Sequence, residues 1–164
     1  MDNLIGAEPA SQGPTFYVPT FRVSLVRDRS RKAEGPRYVR KPADAARILR
    51  SCMPQDTDRE VFAILLLDIR HKVIGFNVVS VGCLSYSIVH PREIMKVAVL
   101  GNAASLVVCH NHPSGDPNPS PEDVKLTERL ALAGTLMGIE LLDHVILGDG
   151  TDKWVSLKES GVIA

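Results

Sequence analysis

Residues 105–123 read SLVVCHNHPSGDPNPSPED, an apolar run that gives way within a few positions to a proline-rich polar loop. SLVV has the character of the end of a buried strand. VKLTERLALAGTLMG, residues 124–138, has the spacing of an amphipathic helix. Between them stand His110, His112, Asp116, Ser120, Glu122 and Asp123, in a segment stiffened by Pro113, Pro117, Pro119 and Pro121. Ligand-type side chains therefore gather where a strand stops and a helix starts, the place where open α/β sheets carry their sites.

The rest of the chain bounds this reading. At 164 residues it suits one domain with a real hydrophobic core and a tail. Hydrophobic residues make up 45% and charged residues 23%, as in an ordinary globular protein. Nineteen basic residues balance nineteen acidic ones, so no net charge marks a nucleic-acid or membrane partner. The balance is local, however. Residues 22–41 hold eight basic side chains against Asp28 and Glu34 alone, and are the one stretch that suggests nucleic acid. Apart from Tyr38 it lacks interleaved aromatics, which fits a solvated arm as well.

The three cysteines, Cys52, Cys83 and Cys109, are odd in number and widely spaced, which excludes a disulfide framework and a cysteine-based zinc finger. No leader-like apolar run opens the chain, and no run reaches the length of a membrane span. A reducing cytoplasm and no membrane partner are the expectation.

In chain order, residues 1–20 read as a loose tail and residues 21–26, FRVSLV, as an alternating strand before a basic loop. Pro42 opens a short helix with Ala45, Ala46, Ile48, Leu49 and Cys52 on one face. EVFAILLLD, residues 60–68, is a strand apolar on both faces, and VIGFNVVSVG, residues 73–82, returns as its hairpin partner. Residues 85–89 suggest a short edge strand. His90-Pro91-Arg92-Glu93 starts a second helix, and Ser120 caps a third that ends at Gly138. IELLDHVILG and WVSL form a closing hairpin. The fold class expected is α/β, a three-layer sandwich with a mixed sheet flanked by helices. Residues 1–57 would be tail, basic segment and short helix, and residues 58–164 the functional domain.

His110 and His112 are two apart at a strand end, so both imidazoles leave the same face while Cys109 points away. The proline loop brings Asp123, in the first helical turn, back towards them. Two histidines and one aspartate leave one position open in a tetrahedral zinc site, as catalytic sites require. The competing reading is a polar loop ending in a Ser120–Asp123 helix cap, which needs no metal. His71 reads as a turn residue, His90 as a cap, and His144 as a core histidine or a support for the ligands.

His110-x-His112, seven residues, Ser120, two residues and Asp123 resemble the JAMM (MPN-plus) metalloprotease motif. The fuller string HNHPSGDPNPS, with HPRE at 90–93 and LLDH at 141–144, is similar to the RadC family. That resemblance implies Zn2+ as cofactor, held by His110, His112 and Asp123, and a metallohydrolase acting on protein or peptide through metal-activated water. It also implies Glu60 as the general base, with Glu93 in reserve, and Ser120 as hydrogen-bond donor to the oxyanion. Without it, Glu60 reads as a solvated strand-end charge beside Arg59. Nothing in residues 1–57 resembles the helix-hairpin-helix region common in RadC proteins. The alternative is a DNA-associated accessory protein without peptidase activity, binding through residues 22–41. A zinc deaminase would need HxE and PCxxC, and this chain has neither.

Overall fold

The computed structural model describes residues 18–20, 22, 25–54, 58–82 and 89–163. Of the expected strand at 21–26, residues 21, 23 and 24 lie outside them, while 22, 25 and 26 belong to no strand; the expected edge strand at 85–89 lies outside them except for Val89. Within them lie α1 (Pro42–Cys52), β1 (Val61–Leu67), β2 (Val73–Val81), α2 (Pro91–Leu100), β3 (Ser105–His112), α3 (Pro121–Met137), β4 (Glu140–Gly148) and β5 (Trp154–Ser156). The five strands form one sheet in the order β2-β1-β3-β4-β5. Only β3 and β4 run parallel, joined by α3; the other neighbours are antiparallel. The sheet is therefore mixed, as expected.

Strand β1 explains the layering. All seven of its residues are buried, which requires cover on both faces. Val61, Ala63, Leu65 and Leu67 pack with Ile48 and Leu49 of α1, while Phe62, Ile64 and Leu66 pack with Ile94 of α2 and Leu130 of α3. Strand β3 alternates in the same way, Val107 and Cys109 towards α1, Leu106 and Val108 towards α2 and α3. Truncating a fully buried residue such as Ile64 to alanine removes contacts on a closed face and costs roughly 2–5 kcal/mol.

The segment before α1 joins the sheet. The Val39 N–H donates to the His71 carbonyl (2.9 Å) and the Val73 N–H to that of Arg37 (3.0 Å). Part of the basic stretch is used in packing here. The Arg31 guanidinium lies 5.4 Å from the Phe76 ring centroid and donates to the Cys52 carbonyl at 3.0 Å. Among the described residues no helix is long and apolar enough to cross a membrane.

A register shift in the β3–β4 pair positions a further side chain. Leu106 pairs with Leu141, but Val107 pairs with Asp143, so Leu142 is the extra residue. Leu141 faces the α2–α3 side, and straight alternation from it would point His144 towards α1. The shift turns His144 over, and it faces His110 instead.

Candidate metal centre

His110 and His112 occupy the end of β3 on the α2–α3 face, with their Nε2 atoms 3.0 Å apart. The His110 ring stacks on Phe62 at 5.9 Å, nearly parallel. After His112 the chain reverses sharply: Gly115 adopts φ +80, and its N–H donates to the His112 carbonyl at 3.0 Å. The prolines carry it to Ser120, where α3 begins. Asp123 Oδ1 then lies 3.2 Å from His110 Nε2, and Oδ2 lies 3.7 Å from His112 Nε2. One donor atom from each residue falls within 4.8 Å of the others, a cluster that could hold a metal ion.

Hydrogen bonding behind the ligands tests whether their chemistry fits a cation. The Thr127 hydroxyl donates to the Asp123 carbonyl (2.6 Å), so towards His144 Nδ1, also at 2.6 Å, it can only accept. His144 therefore carries its proton on Nδ1 and offers the Nε2 lone pair to His110 Nδ1–H at 2.8 Å. That leaves the lone pair of His110 on Nε2. His112 Nδ1 donates to the Asp116 carbonyl at 2.7 Å, which likewise frees its Nε2. With both histidines neutral, two imidazole lone pairs and a carboxylate thus face one point. The donor set fits a bound cation.

Without a cation, a proton on His112 is favoured beside Asp123 instead. Burial acts to raise the Asp123 carboxyl, yet hydrogen bonds from His110, His112 and Ser120 outweigh it and hold it far below the usual carboxylate range. The hydrogen bond to Asp123 raises the His112 pKa against the opposing effect of burial, and the nearby charge of Glu60 adds to the rise. His144, fully buried and beside His110, is lowered well below an ordinary histidine and stays neutral.

The Ser120–Asp123 segment is a helix cap, and its Asp123 carboxylate faces the histidines. The Ser120 hydroxyl accepts from the Asp123 N–H (3.1 Å) and donates to Asp123 Oδ2 (2.6 Å), which also accepts from the Ser120 N–H (2.8 Å). The cap therefore orients the carboxylate that faces the histidines. Glu60 is half-buried just before β1, and its carbonyl accepts from the Gly82 N–H at 2.8 Å. Glu93 is ion-paired with Lys96 and, at 3.5 Å, with Arg92. His90 caps α2, its Nδ1 accepting from the Arg92 N–H (3.2 Å). His71 takes φ +59 in the β1–β2 turn. Sequence reasoning missed Thr127 and Asn111. Thr127 stands one helical turn after Asp123, the only signal that could have marked it.

The fold and site define a three-layer α/β domain with a His-x-His…Asp cluster able to hold a metal ion. The RadC-like JAB domain family model matches residues 39–162, and the chain belongs to that family. It is 47% identical over 131 residues to a UPF0758 protein of Desulforamulus reducens, covering 80% of this chain and 56% of that one. With a UPF0758 protein of Clostridium beijerinckii it shares 40% over 163 residues, 99% of this chain and 70% of the relative. A third, from Halalkalibacterium halodurans, is 51% identical over 129 residues, 78% of this chain and 54% of the relative. The chain thus spans little more than half the length of the first and third.

Proposed function

We propose that the chain is a zinc-dependent metallohydrolase of JAMM type, a peptidase or isopeptidase that cleaves a protein or peptide amide with water. The observation that carries this reading is the convergence of two Nε2 lone pairs and the Asp123 carboxylate on one point, with Glu60 close enough to act on His112 electrostatically. An N2O donor set with room for a fourth group suits zinc, which when bound supplies Lewis-acid activation of water and of the amide carbonyl.

The chain's own residues divide the remaining work. His110, His112 and Asp123 would hold the ion. Glu60 takes a proton from the attacking water and returns it to the departing amine. The Ser120 hydroxyl, which lies against Asp123, turns to donate to the oxygen that develops charge on the substrate. His144 and Thr127 keep the His110 proton on Nδ1, away from the ion. The reading sets the activity in the cytoplasm, in keeping with the free, buried thiols of Cys52 and Cys109.

The test is metal analysis of the purified protein beside His112→Ala, followed by a screen of peptide and isopeptide substrates with Glu60→Gln as control. One zinc per chain, lost in His112→Ala, together with cleavage abolished by Glu60→Gln, is the expected result. A wild type that neither carries nor takes up zinc would overturn the proposal.

A further inference from the structure

The antiparallel β1–β3 ladder ends at the pair Phe62–His110. Beyond it β3 continues to pair with β4 as far as His112–Gly148, while β1 has run out of backbone partners on that side. The Asn111 side chain takes over there. Its Oδ1 accepts from the Val61 N–H at 2.7 Å, and its Nδ2 donates to the Arg59 carbonyl at 3.1 Å. These two backbone groups flank Glu60. Asp149 Oδ2 accepts from the same Nδ2 at 2.6 Å, which fixes which way round the amide sits. Asp149 is itself tied to the metal strand, its N–H donating to the His112 carbonyl at 3.1 Å.

We infer that Asn111 is a positioning residue that sets Glu60 against the metal cluster, an assignment that rests on the hydrolase reading above. Three observations support it. Asn111 is 2% exposed and stands between two of the cluster residues, so its position and theirs are one. Its bonds straddle residue 60, and the Gly82 N–H holds the Glu60 carbonyl from the other neighbouring strand, so the backbone of the base is gripped on both sides. The carboxamide, with its donor and acceptor in one plane, bonds a carbonyl and an N–H two residues apart at once. Aspartate lacks the donor and would face Asp149 with like charge.

The experiment loads the full chain with Co2+ as a visible probe and compares wild type, Asn111→Ala, Asn111→Asp, Glu60→Gln and the double variant Asn111→Ala/Glu60→Gln. Both Asn111 variants are expected to bind one Co2+ per chain with an altered visible spectrum. Asn111→Ala should add no further change once Glu60 is replaced. In any peptide-cleavage assay that the wild type supports, kcat should fall roughly 10²-fold with KM unchanged, the loss expected when a reacting group moves by about 1 Å. A wild-type spectrum in both Asn111 variants, or the same Asn111→Ala change with and without Glu60, would overturn the inference and leave the hydrolase reading standing. Failure of the wild type to bind Co2+ would sink the hydrolase reading and this role with it.

Discussion

His144 Nε2 lies 2.8 Å from His110 Nδ1, and it lies there because β4 carries one more residue than β3 over the same span. With Thr127 behind it, the contact decides which nitrogen of His110 is free. Thr127→Val keeps the shape but leaves the His144 Nδ1–H unsatisfied, which favours the tautomer that pushes a proton onto His110 Nε2. Zinc affinity should drop about 10–100-fold in competition with a chromophoric chelator. Urea unfolding should show a loss of about 1–3 kcal/mol. Unchanged zinc affinity would rule out the tautomer relay.

Asp123 is both cap and ligand, and two substitutions separate the roles. Asp123→Asn keeps an oxygen for the Ser120 N–H but loses the charge, so α3 should stay intact while zinc is lost. Asp123→Ala loses both, and should be less stable than Asp123→Asn by about 0.5–2 kcal/mol. Metal content and thermal unfolding of the pair measure this. Retention of zinc by Asp123→Ala would show that the carboxylate is only a cap.

Acidity acts on the metal-free and zinc-loaded proteins in opposite senses. The lowered Asp123 stabilises the fold fully above about pH 4 and loses that contribution as pH falls. The raised His112 contributes fully below about pH 6.5 and loses its share as pH rises through its folded value. In chelator-treated protein the stability gap between wild type and Asp123→Asn should therefore be widest between about pH 4 and 6.5. His144 stays neutral in both proteins, since burial lowers it and Asp123→Asn removes a charge that raises it. With zinc present the gap should instead widen with pH, because the ion must displace the His112 proton. Parallel denaturation curves from pH 3 to 9 with and without zinc would reveal a common trend if the assignment were wrong.

The metal loop leans on the β4–β5 turn at a contact that admits no side chain. A Cβ on Gly148 would stand 2.3 Å from the Gly115 carbonyl oxygen and 2.8 Å from Thr151 Oγ1. Gly148→Ala should lower both the melting temperature and zinc affinity, although residue 148, the strand partner of His112, supplies no donor atom to the cluster. A variant that melts lower yet binds zinc as tightly as wild type would show that the loop holds its shape unaided.

Periodicity was enough to read most of the architecture. The unbroken apolar run of β1 implied two covered faces, and the two-residue spacing of His110 and His112 put them on one side of the sheet. The apolar positions of α1 are those buried in the structure. What the sequence could not show is non-local. The β-bulge at Leu142 leaves no mark in composition, so whether His144 faces the ligands or the α1 core could not be read. Thr127 and Asn111 act through hydrogen bonds to groups that the fold brings together, Thr127 to His144 and Asn111 across fifty positions to Val61. Residue type alone assigned them nothing.

His110, His112 and Asp123 all lie in residues 110–123, whereas Glu60 arrives from the start of the neighbouring strand. On the hydrolase reading, holding the ion and moving the proton are thus written in separate stretches of the gene, and mutation can erase one without the other. A single change at position 60 would then leave a domain that still folds around its ion but cannot move the proton. The reverse loss reaches the fold as well where it strikes the cap. A change that spoils the Ser120–Asp123 turn removes the ion and frays the start of the helix covering the sheet.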